Sequence, residues 1–261
     1  MLEALLADLA QQAPDQIAIT GDLTQISLEE EFVEAGAWLA RVGPPERVSA
    51  IPGNHDAYVF VPHARGWERW TPYIESDAAA GAFRPDVGEP FPSVRIRHGL
   101  ALVGVCTAQP TAPLAATGRV GPAQLDRLAE VLARLRDTGL CRIVLIHHPP
   151  LAGVTLRRRS LTDSEAFGEM LRREGAELIL HGHLHRTHVA SLRGPDGPIP
   201  VVGVPSASHA GSAPERRAAY HLYDIERADG SFSIRVRTRT WDPASGRCIT
   251  TGSEEGDRLT L

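Results

Sequence analysis

Leucines at positions 2, 5, 6 and 9 recur at helical spacing, so the chain opens in an amphipathic helix. The run 16–20 (QIAIT) is apolar, stops at Gly21 and reads as a buried strand. Ser27-Leu-Glu-Glu30 has the form of a capping box, which predicts a helix to about Arg41, broken by Gly43-Pro44-Pro45. Residues 47–51 form the next strand, with Pro52-Gly53 directly after it. Residues 57–92 are rich in Pro, Gly and aromatics and read as a long surface excursion with one helix near 63–70. Two β-like runs follow at 93–97 and 100–106, joined as a hairpin at His98-Gly99. Pro122 opens a helix whose stripe is Leu125, Leu128, Val131, Leu132 and Leu135. Strands are expected at 141–146 and 177–180, with a helix at 162–173 between them.

After His188 the texture changes. Runs at 189–192, 199–204, 219–225 and 232–241 read as strands with no helix between them. Alternation first and strands afterwards predict a mixed α/β domain, with helices covering packed sheets. Without internal repeats or a linker, residues 1–261 read as one domain.

Composition narrows the partners. A net charge of -5 and a pI of about 6.1 give no general attraction to nucleic acid or to an anionic membrane. Any phosphate must therefore be bound by a local site, and the expected partner is a small phosphate ester, not a nucleic-acid polymer. The sequence has no lysine and a single asparagine, a bias that fits a GC-rich bacterial genome. Three widely spaced cysteines, Cys106, Cys141 and Cys248, suggest free thiols in a reducing compartment. The acidic amphipathic start resembles neither a signal nor a transit peptide, so a cytoplasmic location is expected.

The polar residues then fall into place. Thr20-Gly-Asp22 follows the first strand, Gly53-Asn54-His55-Asp56 the second, His147-His148-Pro-Pro150 the strand at 141–146, and His181-Gly-His183-Leu-His185 the strand at 177–180. Six of the eleven histidines lie between 147 and 188. Neutral imidazoles and a carboxylate suit a cluster of divalent metals, and strand ends are where α/β sheets usually bind ligands. The H-x-H spacing places His183 and His185 on one side of an extended segment. Each cluster alone also reads blandly, as a turn or a surface histidine pair; the four together, each at a strand end, favour a site.

In this order the motifs resemble the calcineurin-like metallophosphoesterases, and the H-H-P-P form resembles their bacterial cyclic-nucleotide and glycerophosphodiester phosphodiesterase branch. The resemblance implies a four-layer αββα sandwich and one or two divalent ions such as Mn, Fe or Zn. It implies Asp22 as the bridging carboxylate, Asn54, His147 and His183 around one ion, and His185 on the other. His55 would be catalytic, with Asp56 orienting it, while a hydroxide bound by the metals attacks phosphorus in line. A small phosphodiester is the expected substrate; a phosphomonoester or phosphoprotein is the alternative. The family's first motif, Asp-x-His on a strand before the first helix, has no counterpart here, since Asp8-Leu-Ala10 lies in the helical pattern. A start placed too far downstream would account for this, as would a truncated chain; a single-metal or inactive variant is the other reading. His148 and His181 could orient ligands or serve packing, and His209 could line the pocket. Arg157-Arg158-Arg159 could bind an anionic substrate or form a solvated turn, while His63, His98, His188 and His221 read as structural.

Overall fold

The computed structural model describes residues 1–84, 90–112, 114–209, 213–228 and 230–259. Part of the expected excursion, at 85–89, lies outside the described residues, as does the side chain of His63. The leucine stripe forms α1 (Leu2–Gln12), which buries Leu5. The two short apolar runs form β1 (Ile17–Ile19) and β2 (Val48–Ala50), a parallel pair. Between them lies α2 (Glu29–Val42), buried through Phe32, Ala35 and Leu39.

The start of α2 corrects the capping-box reading. The helix begins after Leu28, and the Glu31 carboxylate accepts the Leu28, Ile26 and Gln25 N–H groups at 2.9, 3.1 and 3.3 Å. Ser27 stands outside, with φ 62, and its hydroxyl donates to the His55 carbonyl at 2.6 Å. The serine thus ties the loop before α2 to the loop after β2. In the excursion, short 3-10 turns precede α3 (Thr71–Ile74), and Trp70 is fully buried against Phe32.

A six-stranded sheet is the centre of the molecule. Strands β3 (Ser93–Arg97) and β4 (Leu100–Val105) form the expected hairpin, and its turn is left-handed at both His98 and Gly99 (φ 47 and 80). Next in the sheet come β5 (Cys141–Ile146) and β6 (Leu178–His181), then β8 (Pro198–Gly203) and, at the edge, β7 (His188–Arg193). Strands β4, β5, β6 and β8 run parallel. The residues of β5 are buried throughout, as a parallel strand covered on both faces requires. On one face, α4 (Pro122–Leu135) and α5 (Ser164–Glu174) bury Leu128, Leu132, Phe167 and Leu171 against Val103, Val144, Ile146 and Ile179.

The other face packs Leu145, Leu178, Leu180 and Val202 against a second strand layer. That layer is in two pieces: the β1–β2 pair, and a four-stranded sheet of β9 (Ala219–Ala228), β10 (Ser231–Asp242), β11 (Arg247–Thr251) and β12 (Asp257–Arg258). The last two strands were not expected from the sequence. Outside this layer lie α2 and α1; Asp8 of α1 pairs with Arg239 and Tyr220 of the four-stranded sheet. The four layers are helices, sheet, sheet and helices.

The second layer is split between β1 and β9. Among the described residues β1 pairs only with β2, and β9 only with β10. Ile17, Ala18 and Thr20 on one side, and Tyr220, Leu222 and Tyr223 on the other, line one cavity of about 490 Å³ floored by Leu178, Leu180 and Val202. Two strand edges therefore face each other across an apolar gap without being hydrogen-bonded to each other.

Candidate metal centre

Because β1 runs parallel to β2, and β5 parallel to β6, their carboxyl ends deliver side chains to the same edge. Asp22 follows β1, Asn54 follows β2, His147 follows β5 directly, and His183 follows β6. Close approach of these loops needs small residues. A Cβ on Gly53 would lie 2.2 Å from Asp22 Oδ1, and one on Gly21, which has φ +98, would lie 2.7 Å from His147 Nδ1. Three of the candidate ligands are themselves left-handed: Asp22 (φ 61), His183 (φ 65) and His185 (φ 53). This overturns the extended H-x-H reading. His183 and His185 project from a chain of bends, in a backbone region that non-glycine residues enter at a cost and that recurs at functional sites.

The Asn54 side-chain oxygen is the hub. It lies 3.1 Å from His147 Nε2 and 2.9 Å from His183 Nδ1, while His147 Nε2 also lies 3.3 Å from Asp22 Oδ2. Backbone carbonyls engage the far nitrogens: Thr20 O receives His147 Nδ1–H at 2.6 Å, and Arg159 O receives His183 Nε2–H at 2.8 Å. The inward-facing atoms are therefore two imidazole nitrogens, an amide oxygen and a carboxylate oxygen. Burial works against charge on His147, but Asp22 and the Thr20 carbonyl outweigh it and raise the pKa. Burial and then His147 push His183 down to about 3, so it presents a bare lone pair. Burial disfavours the Asp22 carboxylate as well, yet His147 and the His55 N–H hold its carboxyl well below the usual range.

This donor set fits one divalent cation, since mixed nitrogen and oxygen donors suit Zn, Mn and Fe. Among the described residues no three His, Cys, Asp or Glu side chains have metal-cage spacing by themselves, so the Asn54 amide is what joins the set. Among the described residues His185 makes no hydrogen bond to these donors. It shares with Asp22, His147 and His183 the lining of a cavity of about 540 Å³, and burial lowers its pKa. His209 is near enough to disfavour a proton on His185. His55 joins the group through its backbone N–H, 3.0 Å from Asp22 Oδ1.

The sequence profile of the calcineurin-like phosphoesterase family matches residues 1–187. The chain belongs to that family. A protein described as a "probable cyclic nucleotide phosphodiesterase" from a Synechococcus species is 27% identical over 236 residues, which is 89% of this chain and 80% of that protein. Sulfate thiohydrolase SoxB from Thermus thermophilus superposes with a TM-score of 0.55 at 19% identity over 98% of this chain. This chain spans 43% of SoxB, and that likeness is one of fold alone. No helix among the described residues is long and apolar enough to cross a membrane.

Within this calcineurin-like phosphoesterase the expected role of Asp56 changes. Asp56 does not orient His55. Its buried carboxylate instead accepts the N–H groups of Thr24, Gly53, Asp22 and Leu23 at 2.7, 2.8, 2.9 and 3.2 Å, plus the Thr24 hydroxyl at 3.0 Å. Burial and the nearby Asp22 charge push its pKa up to about 6, against those donors. The His55 ring is oriented by the Gln25 carbonyl, 2.6 Å from Nδ1, with Tyr58 stacked 6.1 Å away. His148 binds Thr107 Oγ1 at 2.7 Å and Ala116 O at 3.1 Å, so both nitrogens are spent on loops and its ring only packs against His147 and His183. Among the described residues His181 Nδ1 hydrogen-bonds only to the neighbouring Gly182 carbonyl, at 2.9 Å. The carbonyls of Thr20, Gln25 and Arg159 were missed by the sequence reading. A backbone oxygen carries no side-chain signature, so only the fold reveals such partners.

Proposed function

We propose that the chain is a metal-dependent phosphoesterase acting on a small phosphodiester, with Asp22, Asn54, His147 and His183 holding one divalent ion. The observation that carries this reading is the convergence of Asn54 Oδ1 on two imidazole nitrogens and, through His147, on Asp22. A bound ion would supply charge neutralisation at the phosphoryl oxygens and a water of lowered pKa. The protein would supply the rest. Thr20 and Arg159 fix the two rings by their far nitrogens, which raises their value as donors. The Gln25 carbonyl accepts a hydrogen bond from His55 Nδ1–H, leaving Nε2 free to exchange a proton with the leaving oxygen. The likeness to a cyclic nucleotide phosphodiesterase supports a diester over a monoester or phosphoprotein.

A second reading is favoured by a specific feature. A second ion would have only Asp22 and His185, and the strand layer beside them is open between β1 and β9. On that reading the chain binds one ion and turns over slowly or not at all.

The test is hydrolysis of bis(p-nitrophenyl) phosphate with added Mn²⁺, alongside metal content per chain. The proposal expects turnover abolished by Asn54→Ala and reduced by about a hundredfold or more in His55→Ala. Bound metal without turnover would support the one-ion reading, and no bound metal would overturn both.

A further inference from the structure

We propose that the turn Arg157–Arg159 recognises an anionic group of the substrate other than the scissile phosphate, a carboxylate or a further phosphate. The proposal rests on the phosphoesterase reading of the adjacent centre and adds to it a class of substrate.

Three observations carry it. The turn is directly attached to the centre, because the Arg159 carbonyl receives the Nε2–H of His183 at 2.8 Å. Its backbone is pinned on every side. The Ala116 N–H donates to Arg158 O at 2.8 Å, the Ser160 hydroxyl to Arg157 O at 2.9 Å, and the Arg159 N–H to Leu156 O at 2.7 Å. The side chains, by contrast, are free. All three are exposed, and among the described residues none makes an ion pair or a side-chain hydrogen bond.

Among the described residues other exposed arginines, such as Arg119 and Arg193, are unmatched too; what distinguishes these three is that they adjoin the carbonyl that engages His183. Several arginines do have acidic partners: Arg41 with Glu3, Arg142 with Glu177, Arg172 with Glu169, Arg239 with Asp8. The nearest acid in sequence, Asp163, is committed to the N–H groups of Val120 and Gly121. A chain of net charge -5 therefore holds three unmatched guanidinium groups in a row, on a rigid turn, beside a ligand of the centre. Guanidinium forks match carboxylate and phosphate oxygens in pairs.

The test compares two probes that differ by one carboxylate, glycerol 3-phosphate and 3-phosphoglycerate, by titration calorimetry on the full chain with Mn²⁺. The wild type is expected to bind 3-phosphoglycerate about tenfold more tightly. Arg157→Gln/Arg158→Gln/Arg159→Gln should bring the two affinities to within about twofold, leave that for glycerol 3-phosphate unchanged and keep the melting temperature. Only side chains change, so the carbonyl that holds His183 stays. The corresponding triple lysine chain should keep part of the preference, and salt should erode it. Equal wild-type affinities, no binding of either probe, or a preference that survives the glutamines would each overturn the proposal. An equal loss for both probes would also overturn it, because the turn would then act only through His183. Failure of the phosphoesterase reading looks different: no turnover of bis(p-nitrophenyl) phosphate, with the arginine-dependent preference intact.

Discussion

Asp56 is the residue whose removal tests the architecture of the site most directly. Its two oxygens gather five donors from the loops that carry Asp22 and Asn54: Oδ2 takes the N–H of Asp22, Leu23 and Gly53, and Oδ1 the N–H and hydroxyl of Thr24. Asp56→Ala leaves four backbone N–H groups without this acceptor, two of them in fully buried bonds. Each orphaned buried donor costs about 1–3 kcal/mol, and release of the strain between Asp56 and Asp22 returns part of that. A net loss of about 3 kcal/mol is expected, a large share of the roughly 5–15 kcal/mol of a whole domain. Asp56→Asn is the sharper probe. Whichever way the amide turns, its NH2 faces donors, so the asparagine chain should lose about 2 kcal/mol or more. Urea unfolding at pH 7 followed by circular dichroism gives both values. An asparagine chain within about 0.5 kcal/mol of wild type would refute the reasoning, because the carboxyl would then be protonated and the loops held by something else.

Other changes have equally defined outcomes. Asp8→Asn should cost about 1 kcal/mol at neutral pH, since Arg239 and Tyr220 outweigh burial and keep the Asp8 pKa below its ordinary 3.8. The sign is that of a depressed carboxyl: the stabilisation is full above the ordinary value and fades as pH falls through the lower folded one, so the two chains should converge in strong acid. A gap that persisted there would contradict the ion pair. Gly118→Ala would set a Cβ 2.3 Å from His148 Nδ1, a ring held between Thr107 and Ala116, and should lower stability by about 2 kcal/mol in the same urea assay. Excess Mn²⁺ should raise the melting temperature of the wild type, by the equivalent of about 2.7 kcal/mol at a hundred times Kd, and EDTA should reverse the shift. The same rise in Asn54→Ala would remove the amide from the proposed ligand set.

Much of this molecule was legible in its sequence. Helices α1, α2, α4 and α5 and the strands of the central sheet follow from apolar spacing, because each buries one stripe or both faces in contact with a neighbour. The strand-end positions of Asp22, Asn54, His147 and His183 were legible too, since abrupt changes from apolar runs to Gly, Asp, Asn and His leave a local trace. Strands β11 and β12 were not, because short, mostly exposed strands at the end of the chain bury too little to impose a pattern.

The residue types at the strand ends, and hence the kind of ligand they could hold, are written in the order of amino acids. How they face one another is set by packing between segments far apart in the chain. Asp56 turned out to fasten the Asp22 loop, and carbonyls of Thr20, Gln25 and Arg159 to aim the histidines. The left-handed backbone of His183 and His185 and the unpaired arginines beside them belong to the same class. Hydrogen bonds between loops distant in sequence, and strain sustained by the structure around it, depend on long-range packing that local pattern does not encode.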